Sequence, residues 1–177
     1  MTNERNELVF QANYALNVEK VVERFNRRMD RFLSLALLLL GSSVAASIGN
    51  QVVWGVAVAL ISSLQFVYRY GEHAGIADDQ MRSYQNLVRD IEVRKLSDDA
   101  IRDRLEELSE SDSKTASFME QIAHRNTLIR RGQIDKCHDF NWYLTVLAFL
   151  FGGTPLPKKS RQEHGGEAQA AHDETPA

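Results

Sequence analysis

Charge is absent from the middle of this chain, and several chemical motifs are absent from all of it. Between Phe32 and Tyr68 there is no Asp, Glu, Lys or Arg, although these residues make up 25% of the sequence. The single cysteine, Cys137, cannot form an internal disulfide or build a cysteine metal site alone. No glycine-rich phosphate loop, HExxH motif or GxSxG nucleophile elbow occurs. We therefore expect no enzymatic activity, no metal and no cofactor.

The overall charge argues against nucleic acid as a partner. The 177 residues carry a net charge of −3, and the basic residues form no continuous face. The length corresponds to a single domain.

The uncharged stretch predicts two membrane spans joined by a tight turn. One helix over residues 32–68 would be about 55 Å long, whereas the hydrocarbon core of a bilayer is about 30 Å thick. The helix-breaking pair Gly49-Asn50 lies at the midpoint. We predict a transmembrane helical hairpin with spans at residues 32–48 and 52–68 and a turn at 49–51. The alternative, a buried hairpin in a soluble protein, usually has a charged solvent face.

The charges that flank the hairpin predict its orientation. Four arginines, Arg24, Arg27, Arg28 and Arg31, precede the first span, and Arg69 follows the second, while the turn carries no charge. Positive charges remain on the cytoplasmic side, so a multi-pass membrane protein with both termini in the cytoplasm is predicted. A cleaved signal peptide is disfavoured, because acidic residues are frequent before the apolar stretch.

Apolar residues recur with helical spacing on both sides of the hairpin. Residues 1–31 predict an amphipathic helix that continues into the first span. After the second span, a coiled-coil period runs for about three heptads. The residues of this stripe are Tyr70, Ala74, Ala77, Met81, Tyr84, Val88 and Ile91. The two stripes predict an antiparallel cytoplasmic stalk in an all-α protein, with both helices continuous across the membrane surface. Pairing between protomers is the alternative, and both arrangements can coexist.

The rest of residues 69–139 predicts further cytoplasmic helices. Ser97 is a candidate N-cap, because two carboxylates follow it in what would be the first turn. Gly132 follows two arginines and is a candidate C-terminal glycine for a later helix.

A third apolar stretch opens residues 140–157. It is too short to span a bilayer, so it predicts either an interfacial helix or a helix packed on the bundle. Trp142 and Tyr143 have the amphipathic rings that favour the headgroup layer. Residues 158–177 are rich in Gly, Ala, Gln, Glu and His and are predicted to be disordered.

Small residues recur every four positions within the spans, where they let helices approach closely. The stripes are Gly41, Ala45 and Gly49 on the first arm and Gly55, Ala59 and Ser63 on the second. They are candidates for packing within the hairpin, and the serines beside them are candidates for contacts between protomers. Because no ionisable residue lies at membrane depth, any pore would have to be assembled as a homo-oligomer.

One segment carries a resemblance to a known family. It reads FVYRYGEHAGIADDQMRSYQNLVRDIE and contains an aromatic exit from the second span, Glu72-His73-Ala74, and Tyr84 followed by Leu87 and Ile91. With the preceding helix and charge-free hairpin, residues 14–135 resemble the SLATT family of two-transmembrane proteins. The residue His73 is expected to lie at an interface where span meets stalk.

The resemblance implies a function. Such families are thought to be effectors of bacterial anti-phage conflict systems, associated with nucleotide-second-messenger synthases, nucleotide-sensing domains or reverse transcriptases, and to perturb the inner membrane. Nothing in this sequence would bind a nucleotide, so a sensor would be a separate polypeptide. The alternatives are a passive membrane anchor or scaffold that recruits a cytoplasmic partner, and a phage-encoded holin or exclusion protein.

Overall fold

The computed structural model describes residues 3–46, 49–133, 137 and 140–153. The helices are α1 (Asn3–Ala45), α2 (Gln51–Tyr68), α3 (Tyr70–Val93), α4 (Asp98–Ser109), α5 (Ser117–Arg130) and α6 (Trp142–Phe151). No strand occurs within these described ranges. The predicted all-α fold class is therefore confirmed.

The longest helix, α1, has two parts with different surroundings. Its first part buries an apolar stripe that includes Leu8, Ala12 and Leu16, whereas from Phe32 onward only Leu33 is buried. No proline or glycine occurs in α1 before Gly41, so nothing in the sequence interrupts its backbone ladder. The amphipathic segment and the first apolar arm are thus one helix.

A polar turn reverses the chain after α1. Asn50 caps α2, since its side-chain oxygen accepts a hydrogen bond from the amide of Val52 at 3.0 Å. Gly49 precedes it with a φ of +73°, which glycine adopts at little steric cost. Farther along, Gln65 Nε2 lies 3.1 Å from Ser34 Oγ, so α2 runs antiparallel to α1.

The next helix, α3, continues antiparallel along the first part of α1. Two apolar clusters hold this pair together with α4, α5 and α6. The cluster near the start of α1 comprises Leu8, Ala12, Leu16, Tyr84, Leu87, Ile91 and Ile101. The cluster nearer the apolar arm comprises Val21, Val22, Ala77, Met119, Ile122, Ala123 and Ala148. The antiparallel pairing of the two amphipathic stripes is therefore made within one chain.

Local signals in the sequence set the ends of α4 and α5. Ser97 caps α4, because the Ala100 amide donates to Ser97 Oγ at 3.4 Å. α5 ends before Gly132, which has a φ of +70°, and the Gln133 amide donates back to the Leu128 carbonyl at 3.0 Å. This is the glycine-containing C-terminal arrangement that satisfies the last carbonyls of a helix.

The expectation of two helices continuous across the membrane surface is wrong for the second arm. Arg69 separates α2 from α3 and has φ +45° and ψ +46°, the left-handed conformation. Its N–H still donates to the Gln65 carbonyl at 3.0 Å, and its carbonyl accepts from the amides of Glu72 and His73. A single residue thus interrupts the helix while the adjoining backbone groups remain paired.

Some predictions fall outside the described residues. These are the disordered tail at residues 158–177, the segment 154–157 that follows α6, and residues 47–48 at the end of the first predicted span.

Candidate functional site

The candidate functional site is the apolar hairpin formed by the last part of α1 and by α2. Within the described ranges, one helical stretch, Gln51–Val93, contains a window long and apolar enough to cross a membrane, and none of that window is buried. α2 has no buried residue at all. Leu38 on one arm and Leu60 on the other are each 67% exposed, and Phe66 is 84% exposed. A single chain therefore leaves apolar surface bare along the hairpin.

The two arms contact each other through one face of each helix. Half-buried side chains recur there at spacings of three and four residues. They include Ala36, Leu40 and Val44 on α1 and Trp54, Val58 and Ile61 on α2. All of these residues except Ala36 are large, so large side chains rather than the stripes of small residues form most of the contact between α1 and α2.

The predicted stripes of small residues lie outside that contact. Gly41, Ala45, Gly49, Gly55, Ala59 and Ser63 are all exposed. A Cβ placed on Gly41 or Gly55 would meet no atom within 4 Å outside its own helix backbone and its chain neighbours. The Ser63 hydroxyl donates to the Ala59 carbonyl of its own helix at 2.8 Å. Their role in helix packing stays a prediction, which now concerns contacts with another chain.

The predicted stalk stripe lies on the face of α3 that packs against α1. Ala74, Ala77, Tyr84 and Ile91 are buried, and Tyr70, Met81 and Val88 are half-buried. Leu87 and Gln80 are also buried, although the sequence analysis did not assign them to the stripe. Gln80 is polar, so hydrophobic periodicity gave no sign of it.

A polar cluster with three buried and two less buried members joins α1 and α3 to the connection between α4 and α5. Glu19 is 1% exposed, and its Oε1 accepts a hydrogen bond from the Ser113 amide at 2.8 Å. The Tyr84 hydroxyl donates to Asp112 Oδ1 at 2.8 Å, and Gln80 Nε2 donates to the same oxygen at 3.1 Å. We refer to these five residues as the Glu19 cluster. It fixes the α4–α5 connection against the stalk.

The environment of the Glu19 cluster favours the protonated forms of Glu19 and Tyr84. Burial, and then the nearby Asp112 carboxylate, raise the pKa of Glu19 above its ordinary value of 4.5, while hydrogen bonds from Ser113 act in the opposite direction. Glu19 Oε2 has no hydrogen-bond partner among the described residues, which disfavours the ionised form. Burial, followed by the bond to Asp112, also raises the pKa of Tyr84, so its hydroxyl stays a hydrogen-bond donor.

The Glu19 cluster was not predicted from the sequence. Its members come from three separate segments of the chain, and none of them forms a motif with its sequence neighbours. The one available signal was position: Glu19 lies between Val18 and Val21 on a helix whose apolar face is buried.

Ion pairs and hydrogen bonds close the end of the bundle farthest from the hairpin. Arg5 Nη1 lies 2.6 Å from Asp98 Oδ1, and Arg102 pairs with Glu4. Deeper in the bundle, Asn17 Nδ2 donates to Thr127 Oγ1 at 2.9 Å, which ties α1 to α5. The start of α1 is therefore bound to both α4 and α5.

An open groove of about 590 Å³ borders α1, α4 and the α4–α5 connection. Its lining includes the apolar residues Leu8, Ala15, Val18 and Leu105 and the carboxylates of Glu106, Asp112 and Glu120. No group of three or more His, Cys, Asp or Glu side chains able to hold a metal occurs in the described part of the chain.

The residues predicted to lie at an interface are all exposed. His73 is in the first turn of α3, close to Arg69, and Trp142 and Tyr143 begin α6. On α6, Leu144 and Ala148 are buried against the rest of the molecule. This helix is packed on one side and bare on the other, so it combines features of both alternatives that the sequence left open.

Comparison with known proteins identifies no relative. No family model matches the chain, and no curated protein or solved structure matches it.

Proposed function

We propose that this protein is a membrane effector of a bacterial anti-phage conflict system. In this proposal, residues 32–48 and 52–68 cross the inner membrane as an antiparallel hairpin, and both termini lie in the cytoplasm. Several copies associate through their hairpins and make the membrane leak. In this proposal, the protein is not an enzyme and needs no cofactor.

The observation that carries the proposal is the bare, uncharged surface of the hairpin. α2 has no buried residue, and most of its large apolar side chains are exposed, among them Val52, Leu60 and Phe66. Soluble monomers rarely expose contiguous apolar patches of more than a few hundred Å², whereas such a surface is the stable one in lipid. The arginines before Phe32 and after Tyr68 favour an orientation with both ends inside.

The outward position of the small residues supports homo-oligomerisation. Gly41 and Gly55 have open space where a side chain would be, so the backbone of another helix can approach them closely. A pore formed by one hairpin would need a polar lining, and no ionisable residue lies between Phe32 and Tyr68. Clustering of several hairpins is thus the proposed route to permeability.

The cytoplasmic bundle is proposed to hold the hairpins in a resting arrangement. α1 belongs to both regions, and the Glu19 cluster binds α1 and α3 to the α4–α5 connection. An event that displaces this connection would loosen α3 from α1 in the bundle, about 20 Å along α1 from the start of the hairpin. The trigger is assigned to a separate sensor or nucleotide-signalling protein, because the sequence contains no nucleotide-binding motif.

Membrane topology provides the first test. Membranes from expressing cells should retain the protein after a carbonate wash. A fluorescent protein fused after Ala177 should fluoresce, whereas alkaline phosphatase fused there should be inactive. Alkaline phosphatase inserted at Asn50 should be active in the periplasm. Release by carbonate, or an active phosphatase at the carboxyl end, would overturn the proposal.

Membrane permeability provides the second test. The double variant Gly41→Leu, Gly55→Leu should insert normally but lose the infection-induced fall in membrane potential, because the bulk prevents close contact between chains. Val53→Phe is the matched control, since it adds bulk at an exposed position of α2 away from the small residues. If both variants depolarise cells like the unaltered protein, close helix contact is not the mechanism. If infection leaves the membrane potential unchanged with the unaltered protein and with both variants, a passive scaffold is the better description.

A further inference from the structure

One face of α6 is apolar and uncovered. The helix Trp142–Phe151 contains no charged residue. Its exposed large apolar side chains are Trp142, Tyr143, Val146, Phe149 and Leu150. Trp142 is 77% exposed and Phe149 is 84% exposed. A helix that is apolar on every side requires an apolar environment on every side, and the bundle supplies only one of them.

Contacts with α1 hold α6 close to the start of the apolar arm. The rings of Phe151 and Phe25 are 4.8 Å apart between centroids. Arg24 Nη1 donates to the Gly152 carbonyl at 3.2 Å, and a side chain at Gly152 would collide with Arg24. Phe25 precedes Phe32 by about two helical turns, which is roughly 10 Å along α1.

This position matches the edge of a bilayer crossed by α1 and α2. The headgroup layer extends roughly 5–8 Å beyond each side of the hydrocarbon core. The last turn of α6 lies at Phe25, and a helix with its side chains has a radius of about 5 Å, so this end of α6 reaches that layer. Trp142 begins α6 nine residues earlier, about 13 Å along the helix axis, so it reaches the same layer when α6 lies along the membrane surface. Trp and Tyr are the residues enriched at this depth, and Trp142 and Tyr143 are on the uncovered part of α6.

Charge favours lipid over a second copy of the chain as the occupant of this face. Arg27, Arg28 and Arg31 are exposed on α1 between α6 and the apolar arm. Lipid phosphates attract these side chains, each by about 1 kcal/mol near the surface. A second copy that docked through the same face of its own α6 would bring no anion to these arginines, because Trp142–Phe151 contains no charged residue.

We infer that the uncovered face of α6 lies in the headgroup layer of the cytoplasmic leaflet and contacts phospholipid there. This inference rests on the proposed function, because it requires that α1 and α2 cross the bilayer. α6 is then a third membrane contact that enters lipid without spanning it. Ala148 of α6 packs in the same apolar cluster as Val21 and Met119, so the lipid contact is connected to the bundle core.

Tryptophan fluorescence tests the inference with the full-length protein. The chain has two tryptophans, so Trp54→Phe leaves Trp142 as the only one and Trp142→Phe leaves Trp54. Each variant is reconstituted into vesicles of phosphatidylcholine with a minor fraction of phosphatidylglycerol. The vesicles contain lipids brominated either near the headgroup end or near the far end of the acyl chain. Aqueous acrylamide measures exposure to water.

The expected result is a blue-shifted Trp142 emission that is quenched strongly by bromine near the headgroup end. Quenching by bromine near the chain end should be weak, and acrylamide should have little effect. A water-like emission quenched by acrylamide alone would overturn the inference. Emission shielded from both lipid and water would also overturn it, and would indicate a protein contact at α6.

Trp54 separates failure of this inference from failure of the proposed function. It lies beside the hairpin turn, so in a spanning hairpin brominated lipid quenches it whatever α6 does. Quenching of Trp54 without quenching of Trp142 would reject only the placement of α6. Absence of lipid quenching at both positions would reject the spanning hairpin, and with it the inference.

Discussion

The two parts of α1 differ in what covers them. From Asn3 to Arg31, this helix is packed by α3, α4 and α5, and its apolar stripe is buried with few exceptions. From Phe32 to Ala45, only α2 lies against it, and a single residue, Leu33, is buried. One continuous helix therefore passes from a protein core to a segment that is covered by α2 on one side and uncovered on the others.

The contrast in burial between the two parts of α1 shows that apolarity alone does not identify a core. Ile122 is fully buried in the bundle, whereas Leu38 and Leu39 are mostly exposed. In the bundle, the unburied faces carry charges and ion pairs, such as Arg82 with Asp78. In the hairpin, the unburied faces carry Leu, Val and Phe. The first region is built for water and the second, in the proposed function, for lipid.

The largest expected effect tests which region contains a packed core. Ile122→Ala removes a side chain that is completely buried, so it should lower the free energy of unfolding by about 2–5 kcal/mol. Leu39→Ala, in the hairpin, should cost far less because Leu39 is 61% exposed in the chain. Urea unfolding in detergent micelles, followed by circular dichroism, measures both. Equal losses would contradict the contrast between the regions.

A charge placed on the hairpin tests which solvent surrounds it. Leu60→Arg, near the middle of α2, should disfavour membrane insertion by about 2.5–3.5 kcal/mol. In water, the same exposed change would be nearly neutral, within about 0.5 kcal/mol. The measurement is the fraction of protein that resists carbonate extraction. Gln85→Arg, at an exposed position of α3, is the control and should leave that fraction unchanged. An unaltered fraction for Leu60→Arg would place the hairpin outside lipid.

The Glu19 cluster should make the stability of the bundle depend on pH. Because burial raises the pKa of Glu19, the folded chain binds this proton more tightly than the unfolded chain. The resulting stabilisation is complete below the ordinary value of 4.5 and is lost as pH rises through the folded-state pKa. Glu19→Gln keeps an acceptor for the Ser113 amide but removes the titration. It should flatten the dependence of unfolding free energy on pH above 4.5.

The pH experiment compares urea unfolding of both proteins across a pH series. Gln85→Ala, which changes an exposed residue with no titrating group, should keep the dependence seen in the unaltered protein. If Glu19→Gln retains the full dependence, other carboxylates are responsible. Acidic conditions that stabilise the variant and the unaltered protein equally would lead to the same conclusion.

The smallest expected effects have opposite signs at two glycines of the bundle. Gly132→Ala should lower the free energy of unfolding by about 1 kcal/mol, because alanine is strained at a φ of +70°. Gly75→Ala should raise it by about 0.5–1 kcal/mol, since Gly75 is inside α3 and has open space at its Cβ position. Thermal unfolding in detergent measures both, and a shared sign would show that backbone conformation does not decide the outcome.

Periodicity predicted the helices well because local forces form them. The break at Gly49-Asn50, the Ser97 cap and the end of α5 before Gly132 all follow from residues next to them in sequence. The apolar period of α3 likewise reports the face that packs on α1. These features need no knowledge of distant contacts.

Contacts between distant segments were not predictable in the same way. The Glu19 cluster depends on Asp112 approaching Tyr84, and no local signal records that approach. The side of the hairpin on which the small residues lie could not be predicted either. The spacing of Gly41 and Gly55 suits packing within the hairpin and packing against another chain equally well. Sequence fixes which residues share a helix face, but only the packing of the helices decides which face is inside.

The left-handed backbone of Arg69 has a consequence for how the resting molecule is held. A residue with a side chain in this conformation costs roughly 1–2 kcal/mol relative to the right-handed helix. If Arg69 became helical, α2 and α3 would merge into one continuous helix and recover that free energy. The contacts that hold α2 and α3 in their present register along α1 therefore offset this cost. An event that releases α3 from α1 removes those contacts, so the backbone at Arg69 then favours the continuous helix.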